Sequence, residues 1–197
     1  MKDKYSIFLF SLLFSLNSYS SLGQTTLDYD DRIHPELAKE YMVVSQNHLA
    51  TEAGYQILKQ GGNAIDAAVA VGFVLAVTLP RAGNIGGGGF MLIYKADSQK
   101  VSAIDYRSAA PESSRSEMYL TDSGVVRFGH LVNAVPGSVA GLIKAHKEHG
   151  SLSLRQVLRP AIKFATQGFP VSYDLNYVLE WGKDSMLANE ASKKKFY

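Results

Sequence analysis

The chain has 197 residues, 46% of them hydrophobic and 19% charged, with a formal net charge of +2. This composition supports one domain, or a large part of one, with a sizeable core, and excludes global disorder. The charge is too small and the lysines too scattered for a nucleic-acid surface, and the absence of cysteine excludes disulfides, thiol nucleophiles and thiolate metal sites.

Lys2 and Lys4 precede a ten-residue apolar run, IFLFSLLFSL, which gives way to small and polar residues up to Gly23. This is the plan of a secretory signal peptide over residues 1–23, with cleavage after Ser20 or Gly23; the run is short for a membrane anchor. The mature chain, residues 24–197, is then periplasmic or secreted. A polar arm with Asp28, Asp30 and Asp31 leads to His34-Pro35. Residues 42–45 are a candidate strand. Residues 50–60 have helical spacing, with Thr51 or Asn47 as cap and Gly61-Gly62 as the stop. Asn63 caps a second helix over residues 64–78, apolar almost all round and rich in small residues, which predicts burial against neighbours on both sides.

Residues 80–111 follow as PRAGNIGGGGFMLIYKADSQKVSAIDYRSAAP. Residues 90–95 and 101–107 predict an antiparallel hairpin. Alternation places Ile104 and Tyr106 on one face and Asp105 and Arg107 on the other, where the two charges could form a surface ion pair. Residues 115–120 suggest a short helix and residues 122–124 a turn. Further helices are expected over residues 139–148, closed by Gly150; over 153–167, kinked or restarted by Pro160 and closed by Gly168; and over 172–187, carrying Trp181. His146 and His149 read as residues of an exposed helix face. Lys193 to Lys195 read as a solvated helix face or frayed tail.

The glycine run fits no nucleotide loop. It follows a helix and precedes a strand, and no Lys-Ser or Lys-Thr succeeds it. There is no GxSxG elbow, no serine with an evident base, and no useful pair of carboxylates. Glycines that admit close backbone approach, next to an arginine whose planar fork suits a carboxylate or phosphate, make an anion-recognition unit without a visible nucleophile.

Four ordered motifs account for this asymmetry: GGNAIDAAVA from Gly61, NIGGGGFM from Asn84, IDYRSAAP from Ile104 and VPGSVAG from Val135. Together they resemble the gamma-glutamyltranspeptidase, or glutathione hydrolase, family over nearly everything after residue 33. The resemblance implies an α+β fold, a partial, truncated αββα sandwich of the N-terminal nucleophile hydrolase type, drawn from the large subunit of a self-cleaving precursor. It implies cleavage of the γ-glutamyl bond of glutathione, with transfer to water, amino acids or peptides. The family's threonine nucleophile and the rest of its glutamyl pocket would lie beyond Tyr197, so no catalytic residue is assigned in this chain, and the chain alone is expected to be inactive and to expose sheet edges.

Arg107 matches the arginine that grips the substrate α-carboxylate and is the single site residue carried over. The four glycines are read as structural, allowing tight packing beside the site. No metal or organic cofactor is implied. The partners implied are γ-glutamyl compounds, acceptor amino acids or peptides and the small subunit of the same precursor. Two other readings are a cephalosporin or glutaryl acylase of the same family, and a non-catalytic periplasmic fragment that binds glutamate or glutathione through Arg107.

Overall fold

The computed structural model describes residues 35–121, 124–126 and 129–196. The expected signal peptide lies outside the described residues, as does most of the polar arm. Residues 35–40 contain no helix or strand. The candidate strand over residues 42–45 is likewise irregular chain; among the described residues it has no ladder to join.

Tyr41–Tyr197 form one unit. Helix α1 (His48–Lys59) is capped by Asn47, whose side chain accepts the Leu49 and Ala50 amides, so Asn47 and not Thr51 is the cap. Gly61 then takes a φ of 87° to turn the chain. Helix α2 (Ala64–Thr78) begins with a capping box. Asn63 accepts the Ile65 and Asp66 amides, and Asp66 reaches back to the Asn63 amide. Its small residues let α1, α3 (Ser138–His149) and α4 (Leu154–Gln167) pack around it, which fulfils the expected burial on several sides. Pro160 lies inside α4 and neither breaks nor restarts it.

The predicted hairpin forms from β1 (Phe90–Lys95) and β2 (Lys100–Asp105), with Met91 opposite Ile104 and Ile93 opposite Ser102. Ile93 and Ile104 are buried in one cluster with Ala67, Val69, Ala70, Leu142, Ala145 and Val157. Phe90, Leu92, Tyr94 and Val101, on the opposite face, are exposed. Strand β2 ends at Asp105, two residues short of the expected limit, although Tyr106 and Gly89 still exchange both backbone hydrogen bonds, at 3.0 and 3.3 Å.

A second, unforeseen ladder pairs β3 (Leu120–Thr121) with β4 (Gly124–Val125), and the short helix before it is a 3₁₀ turn, Ser116–Tyr119. The helix expected over residues 172–187 is divided at Gly182 into α5 (Tyr173–Trp181) and α6 (Lys183–Leu187). The lysine run lies exposed on a last helix, α7 (Glu190–Phe196).

His146 and His149 are not surface residues. Their side chains are 10% and 13% exposed. His146 Nε2 lies 2.9 Å from the Leu152 carbonyl oxygen in the α3–α4 connection, and the main-chain carbonyl of His149 accepts Asn63 Nδ2, at the start of α2, at 2.6 Å. No helix among the described residues is long and apolar enough to cross a membrane.

Candidate functional site

The sheet end places three stretches of chain side by side: the glycine run, the turn after β2, and the segment entering α3. Ala109 and Val135 pair through both backbone hydrogen bonds, at 2.8 and 3.1 Å. The Gly87 carbonyl oxygen accepts the Gly137 and Ser138 amides at 2.9 and 3.0 Å, which ties the glycine run to the first turn of α3. These amides are among the donors that a helix start leaves unsatisfied, and Gly137 offers no side chain to cap them.

Residues 106–108 pass between these two walls. A Cβ on Gly88 would collide with the Ser108 amide nitrogen, the Tyr106 carbonyl oxygen and the Arg107 carbonyl carbon. A Cβ on Gly137 would overlap the same Tyr106 carbonyl, and one on Gly141 would overlap the Tyr106 ring. None of Gly86 to Gly89 has a positive φ. The glycines are therefore required for close approach and not for turning the chain, in agreement with the structural role expected for them.

Arg107 leaves this clamp with its side chain exposed. Asp105, also exposed, does not form the ion pair that strand alternation allowed. Its Oδ1 instead accepts the backbone amide of Arg107 at 2.9 Å. Among the described residues the Arg107 guanidinium has no carboxylate partner, so its planar set of donors is available to an external anion.

Beside the clamp lies a cavity of ≈ 160 Å³, whose lining includes Phe73, Leu75, Asn84, Tyr106, Ser138 and Leu142. Burial pushes the pKa of the Tyr106 phenol up.

A second polar centre escaped the sequence reading. Asp66 is 0% exposed. Its carboxylate accepts the Asn63 amide at 3.0 Å, the Ser151 hydroxyl at 2.6 Å, and the Ser151 and Leu152 amides at 3.0 and 3.2 Å. His146 Nε2 lies 3.6 Å away. Burial raises its pKa, but these hydrogen bonds outweigh burial and hold the carboxyl below its ordinary range. The carboxylate fastens the start of α2 to the α3–α4 connection. The Ser151 hydroxyl is committed to the acid and not to the imidazole, so the cluster is not a nucleophilic triad. The signal available in the sequence was an acid three residues after an N-cap asparagine.

The family described as Gamma-glutamyltranspeptidase matches residues 50–197 of the chain. The glutathione hydrolase proenzyme of Escherichia coli (strain K12) is 43% identical over 173 residues, covering 85% of this chain and 30% of that protein. The glutathione hydrolase proenzyme of Pseudomonas aeruginosa is 48% identical over 135 residues, covering 66% of this chain and 24% of that protein. The crystal structure of Helicobacter pylori gamma-glutamyltranspeptidase superposes with a TM-score of 0.77 at 40% identity, covering 82% of this chain and 47% of that one. The chain thus spans less than a third of the length of these curated relatives.

Proposed function

The chain belongs to the gamma-glutamyltranspeptidase family, with that family's α+β fold, and on this premise we propose that it is the large-subunit portion of a γ-glutamyltransferase and glutathione hydrolase. In this reading residues 1–23 are a cleaved signal peptide, residues 24–197 belong to the large subunit of an exported, self-cleaving precursor, and the partner is the small subunit of the same precursor. The substrate is glutathione or another γ-glutamyl compound. A threonine hydroxyl of the small subunit attacks the γ-carbonyl, with its own amine taking the proton, and a γ-glutamyl ester forms as the γ-amide C–N bond breaks and the substrate's amine, cysteinylglycine from glutathione, leaves with that proton. Water then releases glutamate, and an amino acid or peptide acceptor gives a transfer product.

In this mechanism Arg107 holds the substrate and moves no proton. Two parallel N–H···O contacts to the α-carboxylate fix the distance from the carboxylate to the γ-carbonyl. The observation that carries the assignment is the guanidinium without a carboxylate partner, on a backbone that Gly88 and Gly137 enclose. A charge-assisted bidentate contact contributes about 2 kcal/mol or more in a partly desolvated pocket.

The test is turnover by the processed parent enzyme. Glutathione should yield glutamate and cysteinylglycine, and glutaryl amides, which keep the terminal carboxylate but lack the α-amine of the γ-glutamyl group, should be poorer substrates. Preference for glutaryl amides would reverse the assignment.

A further inference from the structure

We propose that Asp105 is a positioning residue for Arg107, acting as a hydrogen-bond acceptor and not as a counter-charge. The inference rests on the reading of Arg107 as the carboxylate-binding group.

Two carboxylate geometries are open to an aspartate two residues before an arginine at a strand end. The acid can pair with the guanidinium, which would fold the arginine back over the sheet and neutralise it. Alternatively it can accept the arginine's own backbone amide, which closes a small ring at the turn and leaves the guanidinium free. The structure has the second: Asp105 Oδ1 lies 2.9 Å from the Arg107 amide nitrogen.

That amide has no partner in the ladder, because β2 ends at Asp105 and the last backbone exchange uses the neighbouring Tyr106. Gly88 and Gly137 confine the Tyr106–Arg107 peptide by contact at its carbonyl end. The Asp105 bond restrains the adjoining amide. With both in place, the Arg107 Cα direction is set before any ligand arrives, and less freedom remains to be lost on binding.

This role makes the acceptor's reach matter more than its charge. Asparagine preserves an oxygen at the same distance without the charge. Glutamate keeps the charge but moves it one methylene away, out of register with the amide.

The test is steady-state kinetics of the processed parent enzyme with γ-glutamyl-p-nitroanilide, for Asp105→Ala, Asp105→Asn, Asp105→Glu, Arg107→Ala and the Asp105→Ala/Arg107→Ala double variant. We expect Asp105→Ala and Asp105→Glu to raise KM about 3- to 10-fold with kcat nearly unchanged, the size of one hydrogen bond. Asp105→Asn should stay within about twofold of the parent. In the Arg107→Ala background, Asp105→Ala should add almost nothing, because a residue that acts through Arg107 is silent without it.

A merely structural residue would give additive losses in the double variant, and that result overturns the inference. So does an impaired Asp105→Asn beside a normal Asp105→Glu, which would assign the effect to charge; this pair decides the matter even if Asp105→Ala fails to fold. A normal Asp105→Ala together with a strongly impaired Arg107→Ala overturns the positioning role while sparing the role of Arg107. A silent Arg107→Ala overturns the carboxylate-binding reading, and the inference with it.

Discussion

Around Arg107 the chain is held by backbone against backbone, with glycines where side chains would collide, and the charged group is exposed. Around Asp66 the charged group is itself the fastener: fully buried, and bonded to three amides and a hydroxyl from two separate regions of the chain. One centre spends its interactions on geometry and leaves its charge available. The other consumes its charge in holding α2 to the α3–α4 connection. Substitutions should therefore separate cleanly: those at Asp66 should appear in stability, and those at Arg107 in catalysis.

The largest effect expected is at Asp66. Asp66→Ala leaves three amides and a hydroxyl buried without their acceptor, a change of about 3–5 kcal/mol, measured by urea unfolding of the parent protein. The same carboxyl sets a pH dependence. Its folded-state pKa lies below its unfolded one, so its contribution is complete above the unfolded value of about 4 and is lost as pH falls through the folded value. Asp66→Asn should flatten the acid limb of a stability-against-pH curve below about pH 4; an unchanged limb would show that other groups dominate.

Next is Gly88→Val. Its branched side chain has no room beside residues 106–108, and it should block folding or self-cleavage, read as loss of the two subunit bands on a denaturing gel. A processed, active Gly88→Val would show that the clamp is looser than its contacts imply. Arg107→Lys should cut kcat/KM for γ-glutamyl substrates by about tenfold or more, since lysine lacks the planar fork, and should leave the unfolding midpoint unchanged. That pairing of lost catalysis with intact stability is the reverse of the outcome at Asp66. The smallest effect is at Arg81, which meets Asp174 through two hydrogen bonds of 2.8 and 2.9 Å at the surface. Arg81→Ala should leave the urea unfolding midpoint almost unmoved, as solvent-exposed pairs do.

The two centres also differ in how far they could be read from the sequence. The helices, their asparagine and glycine boundaries and the hairpin follow from local patterns, and Arg107 stood out as an arginine beside a glycine run. The direction in which Arg107 is held was not legible, because it depends on Gly137 and Gly141, which reach the turn only through the fold. Asp66 follows the N-cap Asn63 by three residues, a spacing that points to no more than a capping box. Its further partners, Ser151 and Leu152, are 85 and 86 residues away, and local spacing carries no information about them. His146 and His149 were misplaced for the same reason: three-residue spacing on a helix says that they share a face, and packing decides whether that face is wet. The absent strand over residues 42–45 reflects a short apolar run without a neighbouring ladder, and β3–β4 was hidden in a turn too short to show alternation.

The proposed function turns on recognition of the substrate α-carboxylate by Arg107. Its most direct test is the ratio of kcat/KM for γ-glutamyl-p-nitroanilide to that for 4-aminobutyryl-p-nitroanilide, which lacks this carboxylate, in the processed parent enzyme and in Arg107→Ala. The parent should prefer the γ-glutamyl compound strongly and Arg107→Ala should lose most of that preference, with little change on the 4-aminobutyryl compound. Equal losses on both substrates, or a preference that survives the substitution, would contradict that recognition.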